Sequence, residues 1–290
     1  SKSSGVNAIG GDLVISGGQV TFGNNHQIPD TAAVTMSSGV FNGTGPNAGQ
    51  RTNHTETLGS LAVTGGAFNA GSECTWTITG SGSFTGGAGN TMFIGNSGAV
   101  LSFGSLSVKD MTATAGGNPA TANSFTLYGA STNRQSTITV GSGGLTLDNA
   151  VLNLRRGGSG TNGSRLVLDG DVTTTGTSPS SIKEDTAGGT TGAIAVELSS
   201  TSGTVTRTFH IGGGGADLTI SIPITNGAAD TAGITKTGAG TLILSGANIY
   251  TGLTLINEGT VRLGSGSALG ASGTADNGTQ IAAGGTLDLN

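Results

Sequence analysis

The chain is poor in charge and has no long apolar run, and each shortage excludes a class of protein. Charged residues make up 9% of its 290 residues, and the net charge is −5. A nucleic-acid-binding surface needs clustered lysine and arginine, whereas the one adjacent basic pair here is Arg155-Arg156. We therefore expect no nucleic-acid partner. No run of about 18 apolar residues occurs, so we also expect no membrane-spanning segment.

Cysteine and proline are scarce as well. The single cysteine, Cys74, excludes an intrachain disulfide and a cysteine-based metal site, and we expect it to be a small buried residue. Five prolines and no Gly-X-Y period exclude a proline-rich linker and collagen. The first residues, Ser1-Lys2-Ser3-Ser4, lack an initiator methionine and a secretory signal, so we expect a mature piece of a longer protein.

Glycine is abundant, at 56 of 290 residues, against a background of about 7%. Disordered chains combine such compositions with few β-branched residues, but threonine, valine and isoleucine recur throughout this sequence. Glycine supplies the positive-φ positions of turns, and β-branched residues suit half-buried strands. The composition therefore indicates ordered β-structure with frequent turns.

Short runs of alternating apolar and polar residues, bounded by turn formers, predict an all-β fold. The clearest runs are Leu13–Ile15, Leu61–Val63, Trp76–Ile78, Leu106–Val108, Leu145–Leu147, Leu166–Leu168, Leu218–Ile220, Leu242–Leu244, Val261–Leu263 and Leu287–Leu289. Their spacing also permits a β-sandwich. Aromatic content of 4% and runs that continue without a boundary favour one parallel β-solenoid over residues 1–290, with roughly 12 coils around a narrow aliphatic core.

The segment 234–290 contains an ordered set of motifs. It reads Lys-x-Gly-x-Gly-Thr-Leu-x-Leu-Ser-Gly from Lys236, Asn-x-Tyr-Thr-Gly from Asn248, Asn-x-Gly-Thr from Asn257, and Gly-Gly-Thr-Leu-Asp-Leu-Asn up to Asn290. This segment resembles the autotransporter-associated β-strand repeat, also called the passenger-associated transport repeat. Leu253 departs from the pattern, since the family usually has a second glycine there.

The resemblance implies a right-handed parallel β-helix that is exported by a Gram-negative bacterium and resides outside the outer membrane, secreted or at the cell surface. It links the repeat to secretion and folding of the passenger, and it carries no catalytic residues to this chain. The upstream four-fifths of the sequence is only generically similar to passenger sequences.

Several motifs suggest chemistry but have a simpler interpretation. The stretch Gly212–Ile220 resembles one calcium-binding nonapeptide, yet such sites need stacked copies. Asp169-Gly-Asp171 lacks further acidic neighbours and is expected to be a surface turn. The run Lys183-Glu184-Asp185 is expected to be a protruding loop. Thr-x-Thr segments such as Thr137–Thr139 and Thr204–Thr206 are irregularly spaced, which argues against an ice-binding array. We therefore expect no metal site and no cofactor.

Catalytic groupings are also missing from the sequence. His26, His54 and His210 have no partner at metal-ligand spacing, although a triad can assemble in space. The glycine-flanked serines after Gly141 and Gly264 reflect composition, and the 16 acidic residues show no cluster suited to polysaccharide cleavage. We expect no catalytic residues and no enzyme.

Two functions remain from different classes. The first is an extracellular structural module that stacks end to end into a fibre, because the strand-like run up to Asn290 has no polar cap. The second is an adhesin that binds a host surface or glycan through its longer inter-strand segments, 42–56, 113–124 and 178–192.

Overall fold

The computed structural model describes residues 8–22, 25–43, 54–87, 91–94, 98–112, 123–127, 135–157, 162–186, 189–271 and 278–290. These residues form strands and no helix, so none of them belongs to a helix that could cross a membrane. The strands are β1 Leu13–Thr21, β2 Ala33–Asn42, β3 Thr55–Leu58, β4 Ser60–Val63, β5 Ala67–Asn69, β6 Thr75–Thr85, β7 Thr91–Ile94, β8 Val100–Lys109, β9 Ser124–Leu127, β10 Thr137–Val140, β11 Leu145–Asp148, β12 Val151–Arg155, β13 Asn162–Leu168, β14 Val172–Thr175, β15 Ser180–Asp185, β16 Ala193–Glu197, β17 Thr204–Ile211, β18 Leu218–Ile220, β19 Ile224–Thr225, β20 Thr231–Thr237, β21 Thr241–Leu244, β22 Thr254–Leu263 and β23 Thr279–Asp288.

The strands belong to one sheet in which each named strand pairs in parallel with its equivalent in the next coil. Outside the named strands, Gly157 and Thr191 form an isolated antiparallel bridge. This confirms the all-β, parallel β-solenoid, and the architecture is consistent with the right-handed helix that the resemblance implied. How the chain divides into domains stays a prediction.

The coils pair through three ladders of parallel strands, which we number by the strands of one coil. Ladder 1 contains β4, ladder 2 contains β5, and ladder 3 contains β3. The long strands β6 and β8 each run through ladder 3 and then through ladder 1. One row of ladder 1 runs through eleven levels: Leu13, Val34, Leu61, Gly82, Leu106, Leu145, Val172, Phe209, Lys236, Ile256 and Ile281. Along this row, paired residues lie 20 to 39 positions apart, so coil length varies almost twofold while the register holds.

The core is built from the inward side chains of the ladders, which alternate with outward ones as in any strand. Leu61 and Leu106 are fully buried, for example, and each such side chain stabilises the fold by roughly 1.5–3 kcal/mol. Gly82 interrupts the row between them. A Cβ at Gly82 would lie 2.3 Å from Cδ1 of Phe103, so the missing side chain makes room for a neighbouring ring.

The first coils have an aromatic core, which the low aromatic content did not predict. Trp76 lies edge-on to three phenylalanine rings at centroid distances of 5.3–5.5 Å, and its indole N–H donates to the carbonyl of Ala70 at 2.8 Å. The connected rings are Phe22, Phe41, Phe68, Trp76, Phe84, Phe103 and Phe125. The expectation of an aliphatic core therefore fails for the coils before residue 126.

A column of left-handed residues lines the corner between ladders 1 and 2. Its members are Gly18, Gly39, Gly66, Asp110, Asn149, Gly176, Gly214, Gly238 and Gly259, all with positive φ. The glycines stack closely: a Cβ on Gly66 would lie 2.3 Å from the carbonyl oxygen of Gly39. The two exceptions, Asp110 and Asn149, belong to types that tolerate this conformation, and the Asn149 amide donates to Asp110 Oδ1 at 2.9 Å.

This column generates a prediction about stability. At Gly18 the backbone has φ 70° and a Cβ would meet nothing within 4 Å, whereas at Gly66, with φ 88°, it would strike the coil below. We expect Gly18→Ala to cost only the backbone strain, about 1–2 kcal/mol, and Gly66→Ala to cost clearly more. Chemical denaturation of both variants measures the difference. Equal losses would contradict the close stacking of this corner.

Candidate functional site

The segment with the ordered motifs, Ile234–Leu263, comprises β20, β21, β22 and the turns that join them. Several of its polar side chains are buried: Lys236 and Thr254 expose nothing, and Asn248 exposes 1%. Burying polar groups without partners is costly. The contacts of these side chains therefore show what the motif residues do.

Lys236 occupies a core position of ladder 1, between Phe209 in the coil below and Ile256 in the coil above. Its Nζ donates to the carbonyl oxygens of Thr237 at 2.8 Å, Gly238 at 2.6 Å and Glu258 at 3.0 Å. An ammonium group has three donors, so all of them are used. Lys236 thereby joins the corner of its own coil to the corner of the next.

Glu258 completes the same corner from above. Its Oε2 accepts the backbone N–H of Gly238 at 3.1 Å, while its carbonyl accepts from Lys236. The next residue, Gly259, has φ 69°, and a Cβ there would lie 2.3 Å from the carbonyl oxygen of Gly238 and 2.8 Å from Nζ of Lys236. Glycine at this position therefore lets the lysine reach its acceptors.

Asn248 connects three successive coils through one amide group. Its Oδ1 accepts the backbone N–H of Ile224 at 2.8 Å, and its Nδ2 donates to the carbonyl of Ala268 at 2.6 Å. Nearby, Asn226 makes a matching pair of bonds to the backbone N–H and the hydroxyl of Thr251. Both asparagines satisfy backbone groups where the chain turns and the strand ladder is interrupted.

Tyr250 is buried between these asparagine contacts and the next coil. Its hydroxyl lies 2.6 Å from Oγ1 of Thr254. Burial raises the pKa of Tyr250 to about 12, and the hydrogen bond to Thr254 opposes that rise only in part. A Cβ on Gly270 would touch the ring at 3.0 Å. The tyrosine therefore fills the interior of a turn and stays neutral at physiological pH.

The contacts of these motif residues lie within the chain. The lysine, glutamate and asparagine bond backbone groups of adjacent coils, and the glycines permit that approach. This arrangement sets the spacing and register of one coil against its neighbours. The segment is thus suited to folding and stabilising a solenoid.

Three aspartates that suggested cation sites serve the same purpose. Asp217 Oδ1 accepts the backbone N–H of Thr241 at 2.7 Å, in the next coil. Asp171 accepts from the backbone of Thr208 at 2.8 Å, and Asp169 from that of Ser200 at 2.8 Å. Each carboxylate therefore bonds the equivalent turn one coil further on. Among the described residues, no group of three or more His, Cys, Asp or Glu could hold a metal ion.

The run Lys183-Glu184-Asp185 is not the protruding loop that the sequence predicted. It lies in β15, where Asp185 is 1% exposed and pairs with the guanidinium of Arg155 at 2.9 Å. The carboxylate of Glu184 accepts hydrogen bonds from both Nε and Nη2 of Arg156. The prediction failed because the compensating arginines lie in the coil below, about 30 positions earlier.

The three histidines lie on different coils. His26 is 3.8 Å from the carboxylate of Asp30, and His210 is exposed with Nδ1 3.2 Å from the hydroxyl of Thr237. His54 is buried, which lowers its pKa. Cys74 is buried and not in a disulfide, as predicted.

The segments considered for an adhesin fall largely outside the structure's description. Residues 44–53 and 113–122 are not described, and within 178–192 the residues Ser180–Asp185 form strand β15. A shallow groove of about 510 Å³ does lie on the surface. It is lined by Thr204, Val205, Thr206, Thr231, Gly233, Gly252, Leu253 and Gln280, a set without aromatic or charged side chains.

Sequence reasoning missed the part played by Lys236. The alternation Ile234-Thr235-Lys236 places the lysine on the inward side of its strand, and Ile234 is indeed buried. That signal was available in the sequence. The sequence did not reveal the three carbonyl acceptors of Lys236, since one of them, that of Glu258, belongs to a different coil.

The buried lysine predicts a pH dependence. Burial lowers the pKa of Lys236 from 10.5 to about 8, although the negative charges of Glu258 and Asp217 act to raise it. Between these two values the unfolded chain binds a proton that the folded chain has released, so the free energy of unfolding rises with pH. We expect this rise between pH 8 and pH 9.5, measured by denaturation, and its loss in Lys236→Met.

Lys183→Met is the matched control, since Lys183 is a partly exposed strand lysine. The window stops below pH 10 because ionisation of Tyr250, whose pKa is raised, would contribute an opposite slope in more alkaline solution. Parallel pH profiles for the native protein and Lys236→Met would contradict the expectation.

Comparison with known proteins agrees with the resemblance seen in the sequence. No curated protein and no solved structure matches the chain. Residues 234–263, which are the segment with the buried lysine and asparagine, match the family model of the Passenger-associated-transport-repeat.

Proposed function

We propose that this chain is an extracellular structural β-solenoid, part of an exported passenger of the autotransporter type. The repeat match and the parallel β-solenoid both fit an autotransporter passenger domain. The single observation that carries the proposal is that the polar groups of the repeat bond the backbone of adjacent coils. Such a segment stabilises the stacking of one coil on the next, which is a structural role.

The proposal includes residence outside the outer membrane of a Gram-negative bacterium, secreted or at the cell surface, and it assigns no enzymatic activity. Support for a non-enzymatic role comes from the described carboxylates, since Asp217 and Asp171 accept backbone N–H groups of the next coil and Asp185 pairs with Arg155.

Surface display tests the proposal. The complete chain is placed between an export signal and a translocator barrel in a Gram-negative host, and protease-resistant protein on the cell surface is measured. We expect the native chain to be displayed. Gly259→Val should reduce the resistant fraction, because its Cβ would strike the Gly238 carbonyl at 2.3 Å.

Gly278→Val is the control, because its nearest neighbour is 4.0 Å away, at Leu253. Retention of the native chain inside the cell would overturn the passenger proposal. Equal display of the two variants would show that the repeat corner does not control passenger folding.

End-to-end stacking is a finer part of the proposal, supported by β23. Among the described residues this strand pairs with β22 alone, and Ile281 is 51% exposed. A free strand edge accepts another parallel strand, and a head-to-tail contact of this type propagates into a filament. The apolar exposure at this level of the solenoid favours such a contact.

Sedimentation over a range of concentrations and electron microscopy measure stacking. We expect rods that lengthen with concentration, and their loss in Ile281→Lys, because a charge would be buried at the junction. Ile249→Lys, at a residue 59% exposed and away from this strand, should leave assembly unchanged. A monodisperse native protein would exclude stacking and leave the passenger proposal intact.

The alternative function is an adhesin that binds a host surface or glycan. Its candidate surface is the groove beside Gly252 and Leu253. Soluble sugars are commonly held by stacking on aromatic rings, and this lining has none. The structural role therefore has the stronger support.

A further inference from the structure

The outward side of ladder 3 carries a grid of threonine side chains over four consecutive coils. Parallel pairing aligns Thr55 with Thr75, and Thr57 with Thr77. The next level has Val100 and Ser102, and the fourth has Thr137 and Thr139, each in register with the level below. Six of the eight grid positions are threonine and a seventh is serine.

The hydroxyl groups of this grid are unused within the described protein. None of the six threonines or Ser102 makes a side-chain hydrogen bond there. Elsewhere the hydroxyls of Thr174, Thr254 and Ser199 do bond the chain itself. The grid hydroxyls therefore keep their full capacity for partners outside the molecule.

The eight outward positions of the grid are uncharged, while charged groups border it: His26 and Asp30 lie in the coil below Thr55, and Glu73 lies two residues before Thr75. Ladder 1 continues the same four coils with outward Ser60, Ser81, Ser83, Ser105, Ser107 and Thr146. The first charged pair along these strands, Lys109 with Asp148, lies at the far edge of ladder 1 and is mutually neutralised. The level above the grid has Arg165, which pairs with Glu197 at 2.9 Å.

The grid has two fixed repeats. Successive coils are about 4.8 Å apart, and residues i and i+2 of one strand are about 6.7 Å apart. Threonine is stiff at χ1, so its methyl and hydroxyl groups keep their positions. The result is a rigid lattice of alternating methyl and hydroxyl groups.

Several partner classes fit this surface poorly. Nucleic acids and charged ligands need countercharges, which it lacks. The uncharged region measures about 14 Å by 25 Å, roughly 350 Å², while a stable protein interface needs about 800 Å² per partner with aromatic or arginine anchors. It presents no aromatic ring for stacking on a sugar. A periodic, uncharged hydroxyl lattice is complementary to a periodic, uncharged lattice of water.

We propose that the outward face of ladder 3 between Thr55 and Thr139 binds ice. The threonine hydroxyls replace lattice water at the ice surface, and the methyl groups exclude the mobile water between them. Irregular Thr-x-Thr spacing in the sequence argued against such an array. The register removes that objection, because it aligns strands 20 to 37 residues apart. This activity is independent of export and of the repeat.

Ice-affinity partitioning tests the proposal. The purified chain is exposed to slowly growing ice, and the protein in the ice is compared with that of a non-binding reference protein of similar size. We expect enrichment of the native chain in the ice and inhibition of ice recrystallisation. Thr77→Lys, in the middle of the grid, should reduce both to the level of the reference.

Two further variants keep the test decisive. Thr219→Lys, at a half-buried threonine between the inward Leu218 and Ile220 of β18, should bind ice like the native chain, while circular dichroism checks that all variants are folded. Val100→Thr combined with Ser102→Thr completes the grid and should increase ice binding. No enrichment of the native chain, or equal loss in Thr77→Lys and Thr219→Lys, would overturn the proposal.

Discussion

Parallel stacking of coil on coil is the constraint on which the rest of this structure depends. Each residue must tolerate the side chain about 4.8 Å above it in the next coil. Residues that stack well on their own kind satisfy this requirement at once. The left-handed glycines stack on glycines, the rings of the first coils pack on rings, and hydroxyls align with hydroxyls.

Residues of like charge do not stack favourably on one another, and in this structure several charged residues lie opposite a residue of the other sign in the adjacent coil. Lys109 lies opposite Asp148, Arg155 opposite Asp185, and Arg262 opposite Asp288. Like charges at such short distances would repel. A charged residue on a strand therefore needs an opposite partner one coil away. This explains why a rod of this length contains so few charged residues.

Lys236 and Glu56 are buried ionisable residues that hydrogen-bond backbone groups. Lys236 donates to three carbonyls, and Glu56 accepts the N–H of Gln27 at 2.7 Å at the first level of ladder 3. Burial shifts the pKa of each towards its neutral form, upward for Glu56 and downward for Lys236. In each case the side chain replaces a strand contact that the neighbouring coil does not supply.

The sequence was sufficient for the strands, the parallel solenoid and the repeat, because these follow from local alternation and from an ordered motif. The sequence did not predict the register between coils, because the separation of paired residues varies: Leu106 and Leu145 are 39 positions apart, whereas Lys236 and Ile256 are 20 apart. The charged run at Lys183 was misjudged for that reason, and the alignment of the Thr-x-Thr strands could not be read from the sequence. Their meaning lies in residues of other coils.

The concentration of rings in the first coils has a consequence for how this molecule can be observed. Trp76 is the one tryptophan of the chain, and it contacts Phe22, Phe41 and Phe68 alone among the described rings. Stability in a solenoid is distributed along its axis, coil by coil. Tryptophan fluorescence therefore reports on the coils around Trp76, and it does not report fraying of the coils that contain the repeat.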